Sequence, residues 1–337
     1  MLKEYLKKVV DGRNLSEEEA AGAMRVIMSG QAGDAQIAGF LVAMRLKGET
    51  VDEITGFARV MRDMATRIDV DGAVIDTCGT GGDRASTFNV STAAALVAAG
   101  MGVKVAKHGN RAVSSSSGSA DVLKELGVNI DADAAAVARS IREANIGFLF
   151  APRLHTAMKH AVGARRELGV RTVFNILGPL TNPAGASRQV VGIYDGSLTE
   201  KIAGVLLKLG CERALVVHGE DGLDEITVTA ATKVTEVSGG AVRTFSVTPE
   251  ELGLKRWSLS ELVVKSAAEG AAAIREVLGG AKGARRDIVL ANAAAAAVVA
   301  GMADSLRKGV PLAADSIDSG RASSALSKLA AVTNAAA

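Results

Sequence analysis

The first 70 residues carry helical signals only. The amphipathic run LKEYLKKVV stops at Asp11 and Gly12, and two S/T-x-x-E capping boxes, Ser16 with Glu19 and Thr50 with Glu53, mark later helix starts. Four short helices are expected there. From Val74 the pattern changes: the short runs VIDT, VKVAKHG, GFLFA, QVVGIYD and RALVVHG, most of them rich in β-branched residues, alternate with helical segments, including ones that open at Leu198 and Ala267. This alternation predicts an α/β architecture with a mainly parallel sheet covered by helices on both faces. The alanine-rich stretch Ala293 to Ala303 reads as a buried helix and Ser114 to Ser117 as a loop.

Composition narrows the function classes. With 337 residues, 48% of them hydrophobic, the chain can bury a large core and divide into two domains. Lysine and arginine total 39 against 37 aspartates and glutamates, a net charge of +2, so no electrostatic footprint for nucleic acid or an anionic membrane is present. Any anion must be caught locally. No apolar run approaches the roughly 18 to 20 residues of a membrane span, and the charged N-terminus does not read as a secretory signal. Cys78 and Cys211 form no CxxC pattern, which fits a reduced, cytoplasmic protein without disulfide or zinc.

In an open α/β sheet, ligands collect at the carboxyl ends of strands, where loops feed helix N-termini. The stretch VIDTCGTGGDRASTFNVSTAAALVAAG, Val74 to Gly100, has that layout. Its strand runs into Gly79, Gly81 and Gly82, which can take positive φ and admit a ligand to the backbone, while Asn89, Ser91 and Thr92 stand where a helix begins. Free N–H groups and the helix dipole favour a phosphate there, although a capped tight turn would use the same letters. The spacing G-x-G-G-D is neither that of a dinucleotide site nor that of a nucleoside triphosphate loop.

A second cradle follows in KHGNRAVSSSSGSADVLKELG. Lys107 closes a strand, His108, Gly109, Asn110 and Arg111 come next, and hydroxyls lead to a helix near Ser119. A solvated serine-rich loop is the competing reading. Further on, Asp224 and Glu225 follow the run RALVVHG. Adjacent carboxylates commonly mark a solvated turn, but hard oxygens beside phosphates also suit magnesium, with Asp83 and Ser91 available to the same pool. The four histidines show no metal spacing, and no serine or cysteine pairs with a base as a nucleophile. His155 and His160 read as residues of one helix, and His160 and His218 as structural.

Taken in order, DTCGTGGD, NVST, KHGNRAVSS…SGSADVLKELG, RRELGVRTVFNILGPLTNP and GEDGLDEIT resemble the successive motifs of the anthranilate phosphoribosyltransferases, over essentially the whole chain. The resemblance implies a small all-helical domain over 1–70, rejoined by helices within about 152–182, a larger α/β domain over 71–337, and a homodimer formed through small-domain helices. It places 5-phosphoribosyl 1-pyrophosphate on Gly79, Gly82, Asp83, Thr87, Asn89, Val90, Ser91, Thr92, Lys107, His108, Gly109, Asn110, Arg111, Ala112, Val113, Ser114, Ser115 and Ser119. Two magnesium ions are implied, with Ser91, Asp224 and Glu225 as ligands. Anthranilate is placed on Asn110 and Arg165, with Gly79, His108, His155, Gly178 and Pro179 nearby; a guanidinium fork suits its carboxylate. Thr156 departs from the pattern, standing where the family carries proline.

The implied reaction is attack of the anthranilate amine on the anomeric carbon as pyrophosphate leaves. Lys107 would stabilise that departure, and His108 is the candidate for late proton removal. Two alternatives are a pyrimidine nucleoside phosphorylase and a non-catalytic, nucleic-acid-binding relative; an intact phosphate and metal constellation with near-neutral charge argues against the second.

Overall fold

The four expected helices form where the capping signals put them: α1 (Leu2–Val10), α2 (Glu17–Met28), α3 (Asp34–Lys47) and α4 (Val51–Asp63). The structure is a computed structural model describing residues 1–83, 85–111 and 118–335. Both capping boxes close. The Ser16 hydroxyl accepts from the Glu19 amide at 3.2 Å while Glu19 accepts from the Ser16 amide at 2.8 Å, and Thr50 and Glu53 repeat the exchange. Glu53 does more than cap. Fully buried, it also accepts from the Leu15 amide at 2.9 Å and from Lys47 Nζ at 2.8 Å, so one carboxylate joins the entry to α2, the end of α3 and the start of α4.

The remainder alternates strand and helix. In chain order it comprises β1 (Ile75–Gly79), α5 (Val90–Gly100), β2 (Val105–Gly109), α6 (Ser119–Glu125), α7 (Ala134–Ala144), β3 (Ile146–Phe150), α8 (Ala151–Leu154), α9 (Lys159–Leu168) and α10 (Phe174–Leu177). It continues through β4 (Arg188–Gly192), α11 (Thr199–Lys208), β5 (Arg213–Gly219), β6 (Thr232–Ser238), β7 (Ala241–Val247), α12 (Ala267–Leu278), α13 (Ala284–Ala300), α14 (Leu306–Asp318) and α15 (Arg321–Asn334). Among the described residues the sheet has seven strands in the order β3-β2-β1-β4-β5-β6-β7, parallel through β5 and antiparallel beyond. All five expected strands are present. The β6–β7 hairpin was not anticipated, although its signal is plain: Gly239 and Gly240, at φ +57° and +79°, form a two-residue hairpin turn that needs positive φ twice.

Alternation along the strands divides the core. Val190, Leu215 and Val217 face one cluster with α5, α12, α13 and α15, whereas Val191, Ala214 and Val216 face a second with α1 to α4. Ala161 and Ala164 of α9 and Phe174 and Leu177 of α10 belong to that second cluster, so the chain returns to the N-terminal helices after β3. Among the described residues no helix is long and apolar enough to cross a membrane.

The chain builds outward from β1 to β2 and β3, then comes back to add β4 on the other side of β1. The carboxyl ends of β1 and β4 therefore flank the topological switch point, where strand ends splay and leave a crevice.

Removing the Glu53 carboxylate leaves buried Lys47 without its partner and two amides without acceptors. Glu53→Ala is expected to cost about 3 to 5 kcal/mol in urea unfolding; a loss below about 1 kcal/mol would show that the carboxylate does not tie these helices together.

Candidate active site

The switch point is built from glycines and one intruding carboxylate. The Thr80 amide donates to Gly192 O at 2.9 Å across β1 and β4, and the Tyr194 amide donates to Thr80 Oγ1 at 3.1 Å. Into this junction the turn after β5 inserts Asp224, whose Oδ2 accepts from the Gly81 amide at 2.7 Å. A Cβ at Gly79 would lie 2.3 Å from that Oδ2, and a Cβ at Gly192 would lie 1.6 Å from the Asp224 carbonyl oxygen. A side chain at Gly192 would collide with backbone, and one at Gly79 would displace the Asp224 carboxylate. Beside them Glu225 Oε1 accepts from the Ser91 amide at 3.1 Å in the first turn of α5. Lys107, only 2% exposed at the end of β2, donates from Nζ to Thr77 O at 2.6 Å and to Ser91 Oγ at 3.2 Å. The first glycine turn, the second cradle and the acidic step thus meet on Ser91.

Crowded carboxylates set the electrostatics. Burial, then the charge of Asp83, push Asp224 up to about 6; burial, then Asp224, hold Glu225 well above the usual carboxylate range, and burial raises Asp83. Burial lowers Lys107, against the pull of Asp76. Among the described residues no three His, Cys, Asp or Glu side chains converge into a ready-made cage. Two carboxylates and a hydroxyl, held close against their mutual repulsion, nevertheless fit a hard divalent cation that takes its other ligands from water and phosphate.

The second cradle is partly visible. A Cβ at Gly109 would lie 2.3 Å from Ser119 Oγ, which donates to Asn110 O at 3.3 Å. Arg111 stands 3.7 Å from Asp121 and lies over the Phe150 ring. Ala112, Val113, Ser114 and Ser115 fall outside the described residues. In the first loop Thr87 bridges to Val263, and Asn89 occupies the N-cap of α5. The side chains of Val90 and Thr92 are buried, which leaves only their backbone for a ligand.

The histidines depart from expectation. His155 and His160 do not share a helix: α8 ends at Leu154, Thr156–Met158 is a 3-10 turn, and α9 starts afresh, which places His155 buried at the break. Its ring is 5.1 Å from that of His108, tilted by 50°. His108 Nδ1 lies 3.1 Å from the Gly178 carbonyl, so this nitrogen carries the proton and Nε2 is an acceptor. Among the described residues the buried His108 Nε2 has no partner, and the buried His155 ring is opposed only by the Thr181 backbone. Burial, and for His108 the neighbouring His155, pull the two rings down to about 3 and about 4 respectively. His160 packs on Gly30 and His218 Nδ1 meets Ile193 O at 2.8 Å, as structural residues do. Pro179 is buried in the 3-10 turn Gly178–Leu180. Arg165, on α9, lies over the Phe174 ring at 5.0 Å, its guanidinium lowered by burial.

Known proteins share this fold. Residues 3–65 match the glycosyl transferase family helical bundle domain and residues 71–323 the a/b domain of the same family. The chain is 56% identical to the anthranilate phosphoribosyltransferase of Moorella thermoacetica, covering 98% of both chains. It is similar to the crystal structure of the Thermus thermophilus anthranilate phosphoribosyltransferase, with a TM-score of 0.93 at 46% identity over 98% of this chain and 99% of that one. The chain belongs to the anthranilate phosphoribosyltransferase family. A Saccharomyces cerevisiae member, solved with PRPP and Mg, has a TM-score of 0.90 at 29% identity, covering 98% of this chain and 97% of that one.

Two residues of this family member lie inside the quoted motifs but were given no role at the site from sequence. Asp76, fully buried in β1, accepts from the His108 amide at 3.1 Å and from Asn182 Nδ2 at 2.7 Å, tying the second cradle to the segment after α10. Arg171 donates to Gly82 O and lies 3.9 Å over the Tyr194 ring. An aspartate inside the strand run VIDT was the available signal for the first, since a buried charge needs a reason; for Arg171 it was only its place within RRELGVRTVFNILGPLTNP.

Lowered histidines make a pH prediction. His108 binds its proton in the unfolded chain near pH 6.5 but only near 3 when folded, so stability is full above about pH 6.5 and falls as pH drops toward 3. The loss from His108 alone reaches about 2 kcal/mol by pH 5. His108→Asn is expected to unfold in urea with that much less acid sensitivity between pH 7.5 and 5; an unchanged difference would place the ring's protonation elsewhere.

Proposed function

We propose that the chain transfers the phosphoribosyl group of 5-phosphoribosyl 1-pyrophosphate to the amine of anthranilate, giving N-(5-phosphoribosyl)anthranilate and pyrophosphate, the second step of tryptophan biosynthesis from chorismate. The observation that carries this reading is the convergence of Lys107 and Glu225 on Ser91 at the head of α5, between two glycine turns. Family membership favours it over nucleoside phosphorolysis and over nucleic-acid binding.

Each end of the donor substrate has a cradle. Gly79, Gly82, Asp83, Thr87 and Asn89 to Thr92 form one, and Lys107 to Ser115 with Ser119 form the other. Lys107 spends two of its three N–H donors on Thr77 and Ser91 and keeps one for a phosphate oxygen. Ser91, Asp224 and Glu225 would hold magnesium as a pair of ions. Magnesium, when bound, supplies positive charge against the departing pyrophosphate. The amine nitrogen bonds to the anomeric carbon as the carbon–oxygen bond breaks; pyrophosphate takes the electron pair and the nitrogen sheds one proton. Lys107 stabilises the growing negative charge. His108 Nε2, buried, neutral and without a partner among the described residues, is the acceptor nearest in chemistry to that proton; a group pulled down to about 3 takes it only once the nitrogen has become cationic.

Arg165 meets the anthranilate carboxylate, with Asn110, His155 and the Gly178, Pro179 turn around the ring. A relative from yeast solved with 4-fluoroanthranilate supports an anthranilate pocket in the family. The helical region over 1–70 with the returning segment, and the α/β region over 71–337, act as the two sides of the cleft. A homodimer contact belongs on the helical side: Val10, Leu46 and Val162, on α1, α3 and α9, with α3 packed against the other two, are 68%, 82% and 47% exposed. A cytoplasmic setting fits buried, unpaired Cys78 and Cys211.

Anthranilate fluorescence followed with the phosphoribosyl donor should fall only when magnesium is present, and phosphorolysis of thymidine or uridine should be absent; the opposite pair of results overturns the reading. Arg165→Ala should raise KM for anthranilate about 10- to 100-fold, as for loss of a charge-assisted bidentate contact, and leave KM for the donor within about twofold. Equal rises in both would remove Arg165 from the acceptor pocket.

A further inference from the structure

We infer that Asn292 is a positioning residue that holds the Asp224–Glu225 step in a cation-ready shape; this rests on the reading that those two carboxylates take magnesium. Asn292 lies in the middle of the alanine-rich α13, is 2% exposed, and is flanked on both sides by buried apolar residues. Asparagine is a poor helix former, and a buried amide is costly unless every polar atom is matched. Here they are matched on one residue of the acidic turn. Oδ1 accepts from the Ile226 amide at 3.0 Å, Nδ2 donates to the Ile226 carbonyl at 2.9 Å, and the second N–H goes to Ile288 O at 2.9 Å, one helical turn back.

The amide therefore pairs with both backbone groups of Ile226, as a neighbouring strand would. Ile226 directly follows Glu225, so the clasp fixes the peptide from which the Glu225 carboxylate departs. Asn292 and Glu225 also line one small cavity with Thr77, Cys78, Ser91 and Gly192, beneath the Lys107 ammonium's two partners. The rest of the turn is tied as well: Asp221 accepts from the Leu223 amide at 3.2 Å and from Thr227 Oγ1 at 2.5 Å. Asp224, hydrogen-bonded to Asp83, still crowds Glu225, and the repulsion of their like charges would open a free loop. Asn292 resists that opening from the far side, in the manner of the outer partners that orient metal ligands.

The cleanest variant is Asn292→Thr. Threonine can bond the carbonyl four residues back, so it keeps the Ile288 contact and gives up both bonds to Ile226. Titrating the full chain with Mn2+ as the probe, by its paramagnetic resonance signal, should show affinity about tenfold weaker than wild type. Hydrogen–deuterium exchange over residues 222–228 should accelerate at least about tenfold while α13 stays protected, and KM for anthranilate should stay within about twofold. Unchanged Mn2+ affinity with accelerated exchange, or unchanged exchange, overturns the proposal. Wild-type protein gives a variant-free check: without metal, the Ile226 amide should already exchange as slowly as the α13 core, and exchange at the rate of an open loop would refute the clasp. Asp224→Ala with Glu225→Ala separates the two levels. If that double variant keeps Mn2+ affinity, the metal assignment itself fails; if it loses affinity while Asn292→Thr retains it, only the role of Asn292 fails.

Discussion

Asp224 can reach the Gly81 amide only because neither Gly79 nor Gly192 carries a side chain. That close approach, at the point where the sheet reverses its strand order, is the constraint on which the site depends. It brings a turn from beyond β5 against the ends of β1 and β4, and with it Glu225 against the first turn of α5. Everything cationic is then arranged in answer. Lys107 is buried beneath the turn, its stem in the sheet and its ammonium on Thr77 and Ser91, and a divalent ion would find two carboxylates already held together against their repulsion.

The segment after α10 is joined to the sheet by polar contacts as well as by packing. Asn182, just past the 3-10 turn of Pro179, bonds both Asp76 and the Ala106 carbonyl, and Gly178 O engages His108. The segment after α10 is therefore registered against β1 and β2, the two strands that lead into the glycine-rich loops. Relative placement of two reactants accounts for much of the acceleration in a transfer that needs no strong base, and effective molarities correspond to roughly 7 to 11 kcal/mol. Domain closure would work on these joints.

How much of this was legible depended on distance along the chain. Capping boxes at Ser16 and Thr50, the strand runs from VIDT to RALVVHG and the glycine turn of residues 79–82 are short-range patterns, and the structure realises them where they stand. The Gly239–Gly240 hairpin was equally local and was overlooked beside the stronger parallel signal. His155 was expected on one helix with His160, whereas α8 ends at Leu154 and His155 leaves helical backbone angles at φ -113° and ψ 57°. Asp76 and Arg171 stood inside recognised motifs, but their contacts, like those of Asn292, were not legible, because the partners lie 32, 89 and 66 positions away.

The sequence by itself determined the helix starts, the five parallel strands, the turn chemistry at their ends and, through ordered motifs, the family. These follow from backbone preferences and residue order, which act over a few positions. Only the tertiary structure decided that Asp224 lodges between two glycines of different strands, that His108 keeps its proton on Nδ1, and that a lone asparagine in a row of alanines clasps the acidic turn. Those outcomes depend on burial and on hydrogen bonds between distant segments, whose strength is set by the removal of water and not by any local pattern.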